Sequence, residues 1–351
     1  MINKQSIYYW FFFPLLALLS AGSLTSCIYD SVLEETDMSG KSTLSITMRG
    51  ITTTDPSTSG GSYDDYVKTL RIIGYDNAGN VVCNQKYAGE ELGTVEGTDP
   101  DTYIKITQVL EDGFPGGVCE FYFIANEDRY SVYNTTPAQN LSAFLGDISS
   151  KSELENCMLA TPEALKALGS SPILMTTSVR STLKPGDNTI NNIELVRCFA
   201  KVQLKIVNKS GGEVSVEDPK LVGTYPDSYS LWDGSTTENW TSFEDGVNIN
   251  WELKDGTIEV DGIYTSQEIY FPERLFDEEN NNEDNAMKFS FTLNDKLYEP
   301  AIANSEGTDF NIHRNTHYTV IATLSSAPFD VTFNIEVVPW TEVEVDVPPF
   351  E

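Results

Sequence analysis

The chain has 351 residues, of which 40% are hydrophobic, 11% aromatic and 21% charged, too apolar for a disordered or collagen-like chain and enough for a sizeable core. Acidic residues number 53 against 22 basic, and a net charge of −31 repels phosphates and speaks against nucleic-acid binding. With only two histidines, His313 and His317, acid–base catalysis and histidine metal sites have little to build on, so no enzyme, cofactor or metal is expected.

Residues 1–26 carry one charge, Lys4, ahead of the apolar run from Trp10 to Leu19. That run is too short for about 30 Å of hydrocarbon and is followed by small residues, so it reads as a signal peptide. Leu24-Thr25-Ser26-Cys27 resembles a bacterial lipobox, in which Cys27 becomes the lipidated first residue. Several acyl chains, at about 0.8 kcal/mol per buried CH₂, give firm attachment to a membrane. Residues 27–41 are polar and acidic and read as a tether; within them Asp30-Ser31-Val32 resembles an O-glycosylation acceptor of Bacteroidetes but reads as solvated linker.

Short alternating runs separated by Gly, Asn, Asp and Pro then indicate an all-β chain, with a boundary near residue 195 dividing 42–195 from 196–351. In the first part, strands are expected at Ser42–Arg49, Leu70–Tyr75, Val81–Tyr87, Tyr103–Leu110, Val118–Ala125, Ile173–Val179 and Asn188–Leu195. Asp76–Asn80 supplies a hairpin turn rather than a calcium loop, and Val118–Ala125 is apolar enough for a central strand. Helix is expected only within 142–168, from Leu141, Phe144, Leu145, Leu154, Met158, Leu165 and Leu168. The second part opens with Arg197–Val207 and adds strands near Glu268–Phe271, Met287–Leu293 and Ile312–Thr323. The acidic run Asp277–Asp284 reads as a solvated loop. Along a strand, His313 and His317 stand about 13 Å apart, which suits structural roles rather than a metal. Cys83, Cys119, Cys157 and Cys198 allow three disulfide connectivities, and buried thiols are an equal reading for Cys83 and Cys119.

Several segments together resemble the fimbrillins of Bacteroidales, the pilins of FimA and Mfa1 type. These are Val67-Lys-Thr-Leu-Arg-Ile-Ile-Gly-Tyr75, Gly117-Val-Cys-Glu-Phe-Tyr-Phe-Ile-Ala-Asn126, Ile173-Leu-Met-Thr176 and Val196-Arg-Cys-Phe-Ala-Lys-Val202. Ile312-His-Arg-Asn-Thr-His-Tyr318 and Val337-Val-Pro-Trp340 complete the series. The resemblance implies two transthyretin-like β-sandwich domains, the first with minor helix. It also implies an outer-membrane lipoprotein that reaches the surface, is cut after an arginine, loses its first strand and accepts a neighbour's strand in the vacated groove, supporting adhesion. The expected partners are other copies of the chain, other fimbrial subunits, the outer membrane before processing, and host proteins or glycans.

This sequence carries matching parts. Arg49 is the only arginine between Cys27 and Arg71, so a cut between Arg49 and Gly50 would free Leu44, Ile46 and Met48. The segment after it has little apolar matter beyond Ile51 and is expected to be exposed. At the other end, Val331, Phe333, Ile335 and Val337 alternate, and Val343, Val345 and Val347 alternate again, making 331–351 the candidate donor. The competing readings are an anchor subunit that keeps its lipid, since Cys27-Ile-Tyr-Asp resembles such anchors, and a glycan-binding lipoprotein using the tryptophans of the second half. A glycosidase built on two carboxylates ranks below both.

Overall fold

The structure, a computed structural model, describes residues 42–340 apart from 50, 60–61, 94, 97–102, 111–113, 136, 163–168, 226, 233–246 and 327–329. The first strands are β1 (Thr43–Arg49), β2 (Thr69–Asp76), β3 (Val81–Ala88), β4 (Val95–Glu96), β5 (Tyr103–Val109) and β6 (Gly117–Ala125). There follow the short β7 (Ser131–Val132), β8 (Gln139–Asn140) and β9 (Met158–Ala160), then β10 (Met175–Leu183), β11 (Asp187–Glu194) and β12 (Val196–Arg197). Two sheets result, in the orders β11-β1-β5-β4 and β12-β10-β6-β2-β3. They enclose one apolar core, to which Leu44, Ile46, Ile104, Ile106 and Ile190 come from one sheet and Leu70, Ile72, Phe121 and Phe123 from the other.

As the apolar run predicts, β6 is the central strand of its sheet. Both of its faces are covered, because Tyr122 and Ile124 point away from Phe121 and Phe123 into a second core. Gly74 of β2 allows the close packing there: a Cβ at this position would lie 2.7 Å from the Phe121 ring and 2.9 Å from the Cys83 sulfur.

The second half comprises β13 (Phe199–Lys209), β14 (Val214–Tyr225), β15 (Ser228–Ser230), β16 (Val247–Glu252), β17 (Gly256–Ile258), β18 (Ile263–Thr265) and β19 (Ile269–Pro272). It ends with β20 (Lys288–Leu293), β21 (Lys296–Tyr298), β22 (Thr316–Ser325) and β23 (Val331–Pro339). The orders are β18-β13-β22-β23, with β19 also on β13, and β16-β14-β20-β21, with β17 also on β14. Their facing side chains form the second core, which runs on without a break to the outer face of the β2–β6 sheet. A small sheet, β15-β9-β7-β8, spans the two halves. The chain is therefore an all-β fold of two sandwiches.

Two local expectations differ from what is observed. Helix in the 142–168 region is confined to α2 (Leu141–Asp147) and α3 (Lys151–Glu155), which follow the four-residue α1 (Pro56–Ser59). Met158 lies instead in β9, because Tyr229 of β15 pairs with Leu159 and claims that segment as strand; Leu165 and Leu168 fall outside the described residues. Asn140 and Ser150 cap α2 and α3 by accepting from the Ser142 and Glu153 amides. The sequence also hides β14, twelve residues long, behind Asp218-Pro219. The pairing with β20 shifts register between Glu217 and Lys220, and Asp218 adopts φ 48°. A bulge thus carries a dipeptide that would otherwise break the ladder.

Cys83, Cys119, Cys157 and Cys198 are all buried thiols. Burial pushes the Cys157 thiol up to about 12 and raises that of Cys119, so little reactive thiolate exists at neutral pH. Native protein at pH 8 should therefore resist a thiol reagent at all four positions for hours and react at each of them once denatured. Rapid native labelling of any of the four, read by peptide mass spectrometry, would contradict this burial.

Candidate functional site

Residue by residue, β1 is built to be held on both edges. All seven of its residues pair antiparallel with β5, Ile46 opposite Ile106. On its other edge it runs parallel to β11, Ile46 opposite Ile190, with a shift that brings Met48 opposite Ile193. Asn192, at φ 59°, absorbs the shift, and its amide donates to Thr47 Oγ1 at 3.1 Å. Asparagine tolerates this left-handed backbone better than most residues. At the start of the strand, the Leu110 amide donates to the Ser42 carbonyl and the Gly186 amide to Ser42 Oγ, each at 3.0 Å. The Thr43 hydroxyl donates to Asp187 Oδ1 at 2.6 Å.

Period-two alternation sends Leu44, Ile46 and Met48 inward, and each is wholly buried. Together they contribute roughly 4.5–9 kcal/mol of burial at about 1.5–3 kcal/mol each. The outward face, Thr43, Ser45 and Thr47, is polar and half-buried. β1 is thus an internal strand, and its departure would open a slot with an apolar floor between the bared edges of β5 and β11.

Arg49, at the end of β1, is exposed, while Gly50 lies outside the described residues. The stretch that follows is less open than its composition suggests. Ile51 is buried, the Thr52 amide donates to the Asp65 carbonyl, and the Val67 amide donates to the Thr52 carbonyl, both at 2.8 Å. Pro56 is buried too; Thr54, Asp55, Ser57 and Thr58 are exposed. Isoleucine and one backbone bridge suffice to tie down a segment that its remaining polar side chains would leave in water.

Of the C-terminal positions, Val331, Phe333, Ile335 and Val337 lie on β23, antiparallel to β22, with Ile335 opposite Val320. Val331, Ile335 and Val337 are half-buried against the second core, and Phe333 is 43% exposed, edge-on to Tyr298 at 6.0 Å. Among the described residues β23 ends its sheet, so its outer edge is open. Cys27, Val343, Val345 and Val347 lie outside the described residues.

The two histidines are not brought together. His313 precedes β22 and approaches Asp309 Oδ2 at 3.5 Å, whereas His317 lies on β22, where burial lowers its pKa. Among the described residues no group of three or more His, Cys, Asp or Glu side chains is arranged to hold a metal ion. Arg314 is a structural residue: it pairs with Glu273 at 2.9 Å and donates to the Leu231 and Ser230 carbonyls. Trp251 stacks on Phe271 at 5.4 Å, and Trp232 packs on Tyr122 while donating to the Leu154 carbonyl. Both tryptophans belong to the core rather than to a sugar platform; Trp240 lies outside the described residues.

A cluster not foreseen from the sequence joins the two sandwiches. Asp64 is 2% exposed and pairs with Lys201, which also reaches Glu268 at 3.1 Å. Arg197 pairs with Asp65 and donates to the Trp340 carbonyl at 2.7 Å. Arg197 and Lys201 stand four apart, a spacing that put both on one strand pattern, but nothing local marks Asp64 as their partner.

A family model described as the fimbrillin-A associated anchor proteins Mfa1 and Mfa2 matches residues 33–346. Among solved structures, the chain is similar to the tip fimbrial protein Mfa3 of Porphyromonas gingivalis, crystallised with a C-terminal truncation. The two share 17% identity at a TM-score of 0.58, over 86% of this chain and 100% of the other. A fimbrial assembly protein of Parabacteroides distasonis gives 11% identity and a TM-score of 0.52, over 86% of this chain and 99% of the other. The fimbrilin FimA of Porphyromonas gingivalis W83 gives 12% and 0.51, over 87% and 99%. At these identities the structural likeness speaks for the fold. No curated protein matches. No helix among the described residues is long and apolar enough to cross a membrane.

Proposed function

Because the chain belongs to the family of fimbrillin-A associated anchor proteins Mfa1 and Mfa2, we propose that this fimbrial protein is a structural subunit that assembles by strand replacement at β1. In this reading a lipid on Cys27 carries the precursor to the outer membrane. A protease cuts between Arg49 and Gly50, and β1 leaves. A strand from the end of a neighbouring copy then enters between β5 and β11. Residues 42–195 act as the domain that accepts the strand, and 196–351 as the domain that ends in the donor, within 331–351. The role is adhesive and non-catalytic, with host proteins or glycans as later partners of the finished fibre.

The observation that carries this reading is the position of β1: an internal strand, buried through Leu44, Ile46 and Met48, that ends at an exposed arginine. Most proteins keep such a strand for good. Here, nothing beyond the Thr52 bridge links β1 to the sequence after it among the described residues, so one cut separates strand from body.

Arg49→Gln should therefore block processing. Protein recovered from the cell surface would still carry residues 27–49 by mass spectrometry and would be absent from fibres. Wild-type protein should start at Gly50. Fibres containing the Arg49→Gln chain would rule this cut site out.

The word anchor in the family description favours a second reading, in which the subunit keeps both lipid and first strand. An acylated Cys27 on the surface-exposed, fibre-associated protein would decide for it.

A further inference from the structure

The cluster at the junction of the two sandwiches touches both ends of the assembly apparatus. Its centre is the buried Asp64 carboxylate. Oδ1 accepts from the Tyr270 hydroxyl at 3.0 Å, Oδ2 accepts from Trp340 Nε1 at 3.3 Å, and Lys201 supplies the counter-charge. Trp340 is 4% exposed and is the residue on which β23 ends its hold. Its amide donates to the Asn315 carbonyl at 2.8 Å, and Arg197 and Lys201 stand 5.0 and 4.6 Å from its ring. Cations packed against a desolvated indole add to the attraction. The chain then continues from Trp340 into the stretch that holds Val343, Val345 and Val347.

The same short segment that presents Asp64 also receives the chain leaving β1. Thr52 follows Arg49 by three residues, and it bonds to Asp65 and Val67 on either side of Tyr66. Arg197 ties this segment from the other side, through Nε to the Asp64 carbonyl at 3.0 Å. One stretch of backbone, 64–67, is therefore gripped at one point by the sequel of the first strand and at another by the root of the C-terminal segment.

We infer that Asp64 and Trp340 form a latch that couples the first strand to the C-terminal end of β23. While β1 is seated, the Thr52 bridge holds residues 64–67 in place and Asp64 keeps Trp340 docked. When β1 leaves, the 64–67 segment loses its bridge, Asp64 withdraws from the indole N–H, and the root of the C-terminal segment is released. A subunit would then become able to donate only after it has become able to accept. The inference rests on the assembly reading for its trigger, but the coupling is a property of the folded chain and is measurable without any fibre.

Coupling between two sites is reciprocal, so loosening the latch must loosen the β1 end. Trp340→Phe in the full chain keeps a ring between the two cations and removes the N–H. It should raise the rate at which an arginine-specific protease cuts after Arg49 by roughly fivefold or more, the lower end of ordinary coupling. Cleavage after the exposed Arg129 and Arg180 of the same chain should not change. Amide exchange at Thr52 and Val67 should rise in parallel. Asp64→Asn, which leaves Trp340 itself in place, should shift both readouts the same way and serves if Trp340→Phe fails to fold. The latch is refuted if these substitutions speed exchange within 331–340 alone and leave Arg49 cleavage and Thr52 exchange at wild-type rates. A cut chain that shows the coupling yet stays monomeric would instead count against strand replacement.

Discussion

Replacing Ile46 with aspartate should expel the first strand and turn the protein into a self-associating species with no proteolysis. Ile46 is wholly buried at the centre of β1, with Ile106 opposite on one side and Ile190 on the other. An unpaired carboxylate there forfeits the burial of the isoleucine and adds a desolvation cost of several kcal/mol. The sum approaches the whole apolar contribution of β1, about 4.5–9 kcal/mol. Once the strand is out, β5 and β11 each present a row of unpaired N–H and C=O groups beside an apolar floor, a template for strands of other copies.

Light scattering on a size-exclusion column should show the wild-type precursor as a monomer. The Ile46→Asp chain should form concentration-dependent oligomers with raised binding of a hydrophobic dye. Ser45→Asp, on the polar, half-buried face, is the control and should stay monomeric. A monomeric Ile46→Asp protein with wild-type thermal stability would mean that β1 is not a removable element. The strand-replacement account would go with it.

The second large effect concerns stability alone. Glu127→Ala should cost about 3–5 kcal/mol, because it strands two cations that its carboxylate neutralises. Glu127 has no solvent exposure and receives Arg71 through Nε at 2.9 Å and Nη2 at 2.8 Å. Lys86 approaches at 3.4 Å and the Ser142 hydroxyl donates at 2.7 Å. Arg71 lies on β2, whose every position but the last is buried, so the charge left behind has no route to water. Thermal unfolding should shift down by on the order of 10 °C, with a smaller shift for Glu127→Gln, which keeps the shape and one acceptor. A shift under about 2 °C would show that this pair is dispensable.

The strands were largely legible because alternation is local. Thr43–Arg49, Val81–Ala88, Tyr103–Val109 and Gly117–Ala125 all lie within a residue or two of their expected bounds. The failures have nameable causes. Met158 carries helical spacing yet is recruited by β15, seventy residues on, so a long-range pairing overrides a local pattern. β14 was hidden because Asp218-Pro219 signals a break that a bulge in fact accommodates. At the candidate site, the alternation of Leu44, Ile46 and Met48 and the lone Arg49 were visible, whereas the tie at Ile51 and Thr52 was not, since its partner Tyr66 carries no pattern of its own.

What residue types and their order settle here is the all-β character, the two-part layout of the pattern, the acidic surface and the inward face of each main strand. Hydropathy of period two and turn chemistry act within a few residues and need no knowledge of the rest of the chain. Which strands flank β1, whether a tryptophan faces core or solvent, and that Asp64 meets Trp340 across the molecule are matters of the folded state. Each depends on contacts between residues a hundred or more positions apart, and burial, unlike alternation, belongs to the assembled whole and to no segment of it.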